Sequence, residues 1–80
     1  MSGENPPLTC KEIKAIISYL GFKPASQRGS HEQWVLIKGN SKLKVTVDCP
    51  KSPFSHDLIK SMAKQAGSSQ KEFYRILKLL

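Results

Sequence analysis

The segment "HEQWVLIKGNSKLKVTVDC", residues 31–49, decides the fold. Its first eight residues hold Trp34, Val35, Leu36 and Ile37, the aromatic and branched types that suit a pleated strand. Gly39 and Asn40 follow, between two apolar runs, and "GNSK" reads as a hairpin turn. Beyond it Leu43, Val45 and Val47 alternate with Lys44, Thr46 and Asp48, so this strand has one buried and one polar face. The first strand differs: Trp34 and Leu36 point one way, Val35 and Ile37 the other, and both pairs are apolar.

Outward from the hairpin, "FKPASQR" (22–28) is a weak strand, and Pro24 places it at an edge. Before it, "LTCKEIKAIISYLGF" (8–22) is a helix. Thr9 and Glu12 form a capping box; Ile13, Ile16, Ile17 and Leu20 make one apolar stripe; Gly21 stops the helix. After the hairpin, "CPKSPFS" (49–55) is a loop. "SHDLIKSMAKQAG" (55–67) is a second helix, with Ser55 as N-cap, Asp57 complementing the dipole and an apolar face of Leu58, Ile59, Met62, Ala63 and Ala66. "SSQKEFYRILKLL" (68–80) is a third, with a second capping box, Ser69 and Glu72, and an apolar set of Phe73, Ile76, Leu77 and Leu80.

The order is α-β-β-β-α with an additional C-terminal helix. It predicts an α+β domain in which helices share one face of a three-stranded antiparallel sheet. One of the two apolar pairs of the middle strand then either forms a binding surface on the other face or is shielded by a side chain or the terminal helix; the pattern leaves both open.

Eighty residues make one domain with a modest core. Thirteen Lys and Arg against six Asp and Glu give +7 and a pI near 9.7. Residues 41–80 carry eight basic and three acidic side chains, residues 1–40 five and three, so the excess lies in the second half. Such a surface suits a polyanion, nucleic acid above all, although lysine-rich helices are also ordinary solvated faces. No apolar run reaches the roughly 20 residues that span a bilayer. The opening "MSGENPPL" has neither the basic nor the apolar region of a secretory signal. Residues 1–8 read as a disordered lead, and the expectation is a soluble, cytoplasmic chain. Cys10 and Cys49 show no CxxC and no His/Cys cluster, which argues against structural zinc. They read as two inert thiols in a reducing compartment; one disulfide between them is allowed but not required.

Glycine-rich phosphate loops, HExxH, GxSxG and paired acids for a two-metal nuclease are all missing. No metal site and no cofactor are predicted. Histidine is left. In "QRGSHEQW" (27–34) His31 follows Gly29-Ser30 at the mouth of the strand. Imidazole both takes and gives protons near neutrality. RNA carries its own nucleophile, the 2′-hydroxyl, so its cleavage needs proton transfer and stabilisation of phosphate charge, without a metal in principle. On this reading His31 is the general acid or base, Arg28, Lys42 and Lys44 hold phosphate, and Gly29 and Ser30 let RNA approach. His56, at a helix start, is a weaker candidate. A turn histidine in a non-catalytic RNA-binding module, or an interaction module using Val35 and Ile37, are the alternatives.

The helix ending "LGF", the strand opening "GSH", the "VTV" strand and "LIKSMAKQAG" followed by a capped "EF" helix together resemble the HicA-type toxins over about residues 8–77. The resemblance implies a double-stranded-RNA-binding-domain-like fold over residues 9–80. It implies an mRNA interferase, a metal-independent endoribonuclease that stops translation, and a HicB-type antitoxin that covers the active site. The family's catalytic histidine falls on His31. The Trp34 and Leu36 side becomes core, which leaves His31, Gln33, Val35 and Ile37 on the open face as the partner surface. Two departures stand out. Glu32 occupies the place of a second histidine, adding negative charge near the phosphate path, and Asp48-Cys49-Pro50 replaces a Pro or His cluster after the third strand.

Overall fold

The computed structural model describes residues 6–80. Helix α1 (Cys10–Tyr19) is followed by strands β1 (Lys23–Arg28), β2 (His31–Lys38) and β3 (Ser41–Asp48), a single 3₁₀ turn at Cys49–Lys51, and helices α2 (His56–Gln65) and α3 (Gln70–Leu79). The sheet is antiparallel with spatial order β1-β2-β3. The expected α+β arrangement is what forms, including the terminal helix.

Two short turns set the register. Arg28 pairs with His31 across Gly29-Ser30, and Lys38 pairs with Ser41 across Gly39-Asn40. Gly29 and Gly39 both have φ +61°, while Ser30 and Asn40 do not have positive φ. Glycine at the first central position alone is the type II′ pattern, whose twist matches the strands. Strand β1 is exposed along its whole length and bulges between Pro24 and Ser26, as an edge strand with an internal proline must.

The core lies between one sheet face and the three helices. Ile13, Ile16 and Ile17 of α1, Ile59, Met62 and Ala63 of α2, and Phe73, Tyr74 and Ile76 of α3 pack with Trp34, Val45 and Val47. Each side chain of this size contributes about 1.5–3 kcal/mol when fully buried. The Thr9–Glu12 capping box is complete: Glu12 N–H donates to Thr9 Oγ1 and Thr9 N–H to Glu12 Oε1. The second box is half made. Ser69 Oγ accepts from Glu72 N–H, but the Glu72 carboxylate turns to Arg75 instead of back to Ser69. That pairing holds the Glu72 carboxyl below the usual range.

Several sequence expectations need correcting. Cys10 and Cys49 are joined in a disulfide, Cα–Cα 5.1 Å, because the 3₁₀ turn after β3 lies against the first turn of α1. Neither is a free thiol. Ser52 Oγ accepts the Cys10 N–H at 2.9 Å beside it. The expected lead over residues 1–8 falls largely outside the described residues, but Leu8 is fully buried and its carbonyl accepts the Phe54 N–H at 2.7 Å. The "CPKSPFS" loop therefore delivers Phe54 into the core. Tyr74 joins that core too, its hydroxyl donating to the Pro6 carbonyl at 2.6 Å, while Leu80, expected inside, is 58% exposed.

Candidate active site

The strand register places the odd residues of β2 on the face away from the helices. His31, Gln33, Val35 and Ile37 stand opposite Asp48, Thr46, Lys44 and Lys42 of β3. On the β1 side, Lys23 pairs with Val35 and Arg28 with His31. Ile37 is 73% exposed, so the terminal helix does not shield it. Val35 is half-buried between its cross-strand neighbours Lys23 and Lys44. Lys23, Arg28, Lys42 and Lys44 are exposed and make no ion pair among the described residues. This face is thus a strip of cations around a small apolar patch.

At one end of the strip Asp48 gathers three side chains. Its Oδ2 lies 3.2 Å from His31 Nε2 and 4.0 Å from Lys51 Nζ. Its Oδ1 accepts from the Ser30 hydroxyl at 3.0 Å. Asp48 is mostly covered, whereas the His31 side chain is 56% exposed. A carboxylate beside Nε2 favours the tautomer with its proton on Nε2, which leaves the lone pair on Nδ1. His31 thus has one ring nitrogen beside Asp48 on a side chain that is more than half exposed. The Ser30 hydroxyl is spent on Asp48. Gly29 leaves its surroundings open, since an added Cβ would meet nothing within 4 Å.

The sequence-predicted residues divide into two groups. Arg28, Gly29, Ser30 and His31 come together at the β1–β2 turn. Lys44 and Lys42 lie four and six residues further along the paired strands, about 13 and 20 Å at the usual strand rise. They line the same face but do not share a phosphate with His31. Two nearby groups were missed: Asp48 and Lys51. Asp48 was legible in principle, because a two-residue turn pairing Lys38 with Ser41 also pairs His31 with Asp48.

Glu32 does not lie in the phosphate path. It points to the helix side, where its carboxylate is 2.7 Å from Lys14 Nζ and accepts from Trp34 Nε1 at 3.3 Å. The hydrogen bond from Lys14 is the main cause that holds its carboxyl below the ordinary range. His56 starts α2 and is not among the residues lining the groove beside His31.

That groove runs between the open face of β3 and α2. It holds about 200 Å³ and is lined by His31, Thr46, Asp48, Lys51, Phe54, Leu58, Ser61, Met62 and Gln65. Helix α2 reaches it by closing the free edge of β3: the outward Thr46 N–H donates to Gln65 Oε1 at 3.3 Å. Among the described residues no group of three or more His, Cys, Asp or Glu is placed to hold a metal ion, and no helix is long and apolar enough to cross a membrane.

A family profile described as HicA toxin of bacterial toxin-antitoxin matches residues 10–68, from the disulfide cysteine of α1 through α2. The chain belongs to the HicA toxin family. It is the toxin side of a toxin–antitoxin system, so an antitoxin is its partner. No curated protein and no solved structure matches the chain significantly. The matched span contains β1, β2, β3 and every residue around His31 and its groove.

Proposed function

We propose that this HicA family toxin is a metal-independent endoribonuclease that cleaves mRNA in the cytoplasm and so inhibits translation, with His31 as its general acid/base. The observation that carries the reading is an exposed His31 with Nε2 3.2 Å from Asp48, at the end of a cationic sheet face. RNA laid along this face meets cations at Arg28, Lys44, Lys42 and Lys23, with the Gly29 backbone open beside them. His31 Nδ1 takes the proton of a 2′-hydroxyl as that oxygen bonds to the adjacent phosphorus. The bond to the 5′-oxygen breaks, and that oxygen leaves with a proton from solvent. Arg28 and Lys51 oppose the extra charge on the phosphate. Asp48 and Ser30 keep the ring in place.

The partner is a HicB-type antitoxin. Val35 and Ile37 give it an apolar contact in the middle of the strip with the polar Gln33 beside them, and acidic groups on the antitoxin would meet the surrounding lysines. Covering that strip also blocks His31.

The chemistry has a specific signature. Fragments formed in EDTA should end in 2′,3′-cyclic phosphate and begin with a 5′-hydroxyl. Fragments with a 5′-phosphate would mean that water or another nucleophile attacks, and would overturn the proton route through His31.

A further inference from the structure

The groove beside His31 has more structure than proton transfer needs. Its floor is apolar: Phe54, Leu58 and Met62. Leu58 belongs by sequence to the core face of α2, yet it is 36% exposed and turns into the groove. Its rim is polar, with Thr46 of β3 facing Ser61 and Gln65 of α2, and with His31, Asp48 and Lys51 also lining it. At about 200 Å³ it is smaller than the roughly 300–1,000 Å³ of a drug-sized pocket and suits a single ring system.

We propose that this groove is a nucleobase subsite: it takes one unstacked base of the RNA next to the phosphate at His31, and Gln65 selects among bases. The inference rests on the ribonuclease reading above. An apolar floor beside Lys51, which is 64% exposed and only at 4.0 Å from Asp48, leaves a cation within reach of a ring that carries an anion, which is a nucleotide. Sequence-reading proteins bind RNA through such splayed-out bases, with a hydrophobic face below and hydrogen bonds at the edge.

Gln65 is poised for the second task. A backbone N–H can only donate, so the Thr46 bond fixes which end of the Gln65 amide is oxygen. The amide nitrogen, with two N–H donors, has no partner among the described residues, and Gln65 is an exposed residue that lines the groove. Donors favour the keto oxygens of guanine, uracil and cytosine over adenine, which has no keto oxygen and carries an exocyclic N–H₂ donor. Bidentate reading of adenine needs the same amide to accept as well as donate, and Thr46 already occupies one of the two lone pairs of its oxygen. Gln65→Glu keeps an acceptor for Thr46 but replaces the donors with a second acceptor.

The test is a titration of the full chain with the 3′-monophosphates of guanosine, uridine, adenosine and cytidine, followed by the methyl signals of Leu58 and Met62. The expected result is that all four nucleotides move these methyls. Gln65→Glu should lower the ratio of guanosine to adenosine affinity by about tenfold, the scale of a lost hydrogen bond left unpaired. Leu58→Ala, a change at an exposed site, should weaken all four by about fivefold. Methyls that ignore every nucleotide, or a base ratio that Gln65→Glu leaves unchanged, would overturn the subsite. So would methyls that move only when the antitoxin is added, which would assign the groove to the protein partner. Groove binding with base selection in a protein that cleaves no RNA would overturn the ribonuclease reading and spare the subsite. RNA cleavage without groove shifts would do the reverse.

Discussion

Asp48→Asn separates positioning of His31 from maintenance of the fold. Among the described residues Asp48 is the group in ion-pair contact with the His31 ring, at 3.2 Å, and more than half of the His31 side chain is exposed, so packing does little to hold it. The Ser30 hydroxyl at 3.0 Å fixes the other carboxylate oxygen. Asparagine preserves the shape but presents an amide N–H₂ at one of the two positions. Turned towards His31, it forces Nε2 to accept, moves the ring proton to Nδ1 and removes the lone pair that faces the substrate. Turned towards Ser30, it costs one reversed hydrogen bond, about 1 kcal/mol. General acid–base catalysis is worth about 10²–10⁴ in rate. A variant that misorients the base for most of the time should lose about 10–100-fold in the single-turnover cleavage rate, less than His31→Ala. RNA affinity should hold or rise slightly, because a negative charge leaves the phosphate path. The ¹⁵N shifts of the His31 ring should report a larger share of the Nδ1–H tautomer, a readout that a purely structural role would not move. A rate within twofold of the parent with an unchanged tautomer would refute the positioning argument. Parallel loss of binding and cleavage would show that Asp48 supports the fold instead.

Three further outcomes follow from particular contacts. Lys44→Ala should reduce the slope of log affinity against log salt for single-stranded RNA by about 0.7, the value of one phosphate contact, measured by anisotropy titration; an unchanged slope would remove Lys44 from the RNA path. Cys49→Ser should lower unfolding free energy by about 2–4 kcal/mol in denaturant titrations, since the lost bond closes a separation of 39 residues. Parent protein melted with reductant should match it, and a Cys49→Ser variant as stable as the oxidised parent would argue against the bond. Finally, Lys14 holds the Glu32 carboxyl below its ordinary value of 4.5. A depressed carboxyl contributes stability that is present above 4.5 and lost as pH falls through its lower folded value. Glu32→Gln should therefore be less stable than the parent by up to about 1 kcal/mol at pH 7. The gap should close in the acid range below 4.5, and a gap that widened there would reverse the sign of the argument.

What was legible in the chain is local chemistry. The Thr9–Glu12 box, the alternation of Leu43, Val45 and Val47, and the two glycine turns are short-range signals, and each forms as read. The placement of His31 on an open face followed from period-two counting once Trp34 was assigned to the core. What escaped is contact between distant segments. Glu32 looked like a charge in the phosphate path because it neighbours His31, yet adjacent strand residues face opposite ways, and its partner Lys14 lies on α1. Cys10 and Cys49 carry no spacing signal; only the packing of the 3₁₀ turn against α1 brings them together. Leu58 reads as core by helical period, but α2 lies along the edge of β3, and that offset leaves it in the groove.

The central claim is tested most directly by cleavage of a long single-stranded RNA in EDTA, with the parent and His31→Ala side by side and RNA binding measured for both. The parent should cleave, His31→Ala should lose at least about 100-fold in rate, and both should retain their affinity for RNA. Cleavage that survives in His31→Ala, or RNA bound but left intact by the parent, would contradict that claim.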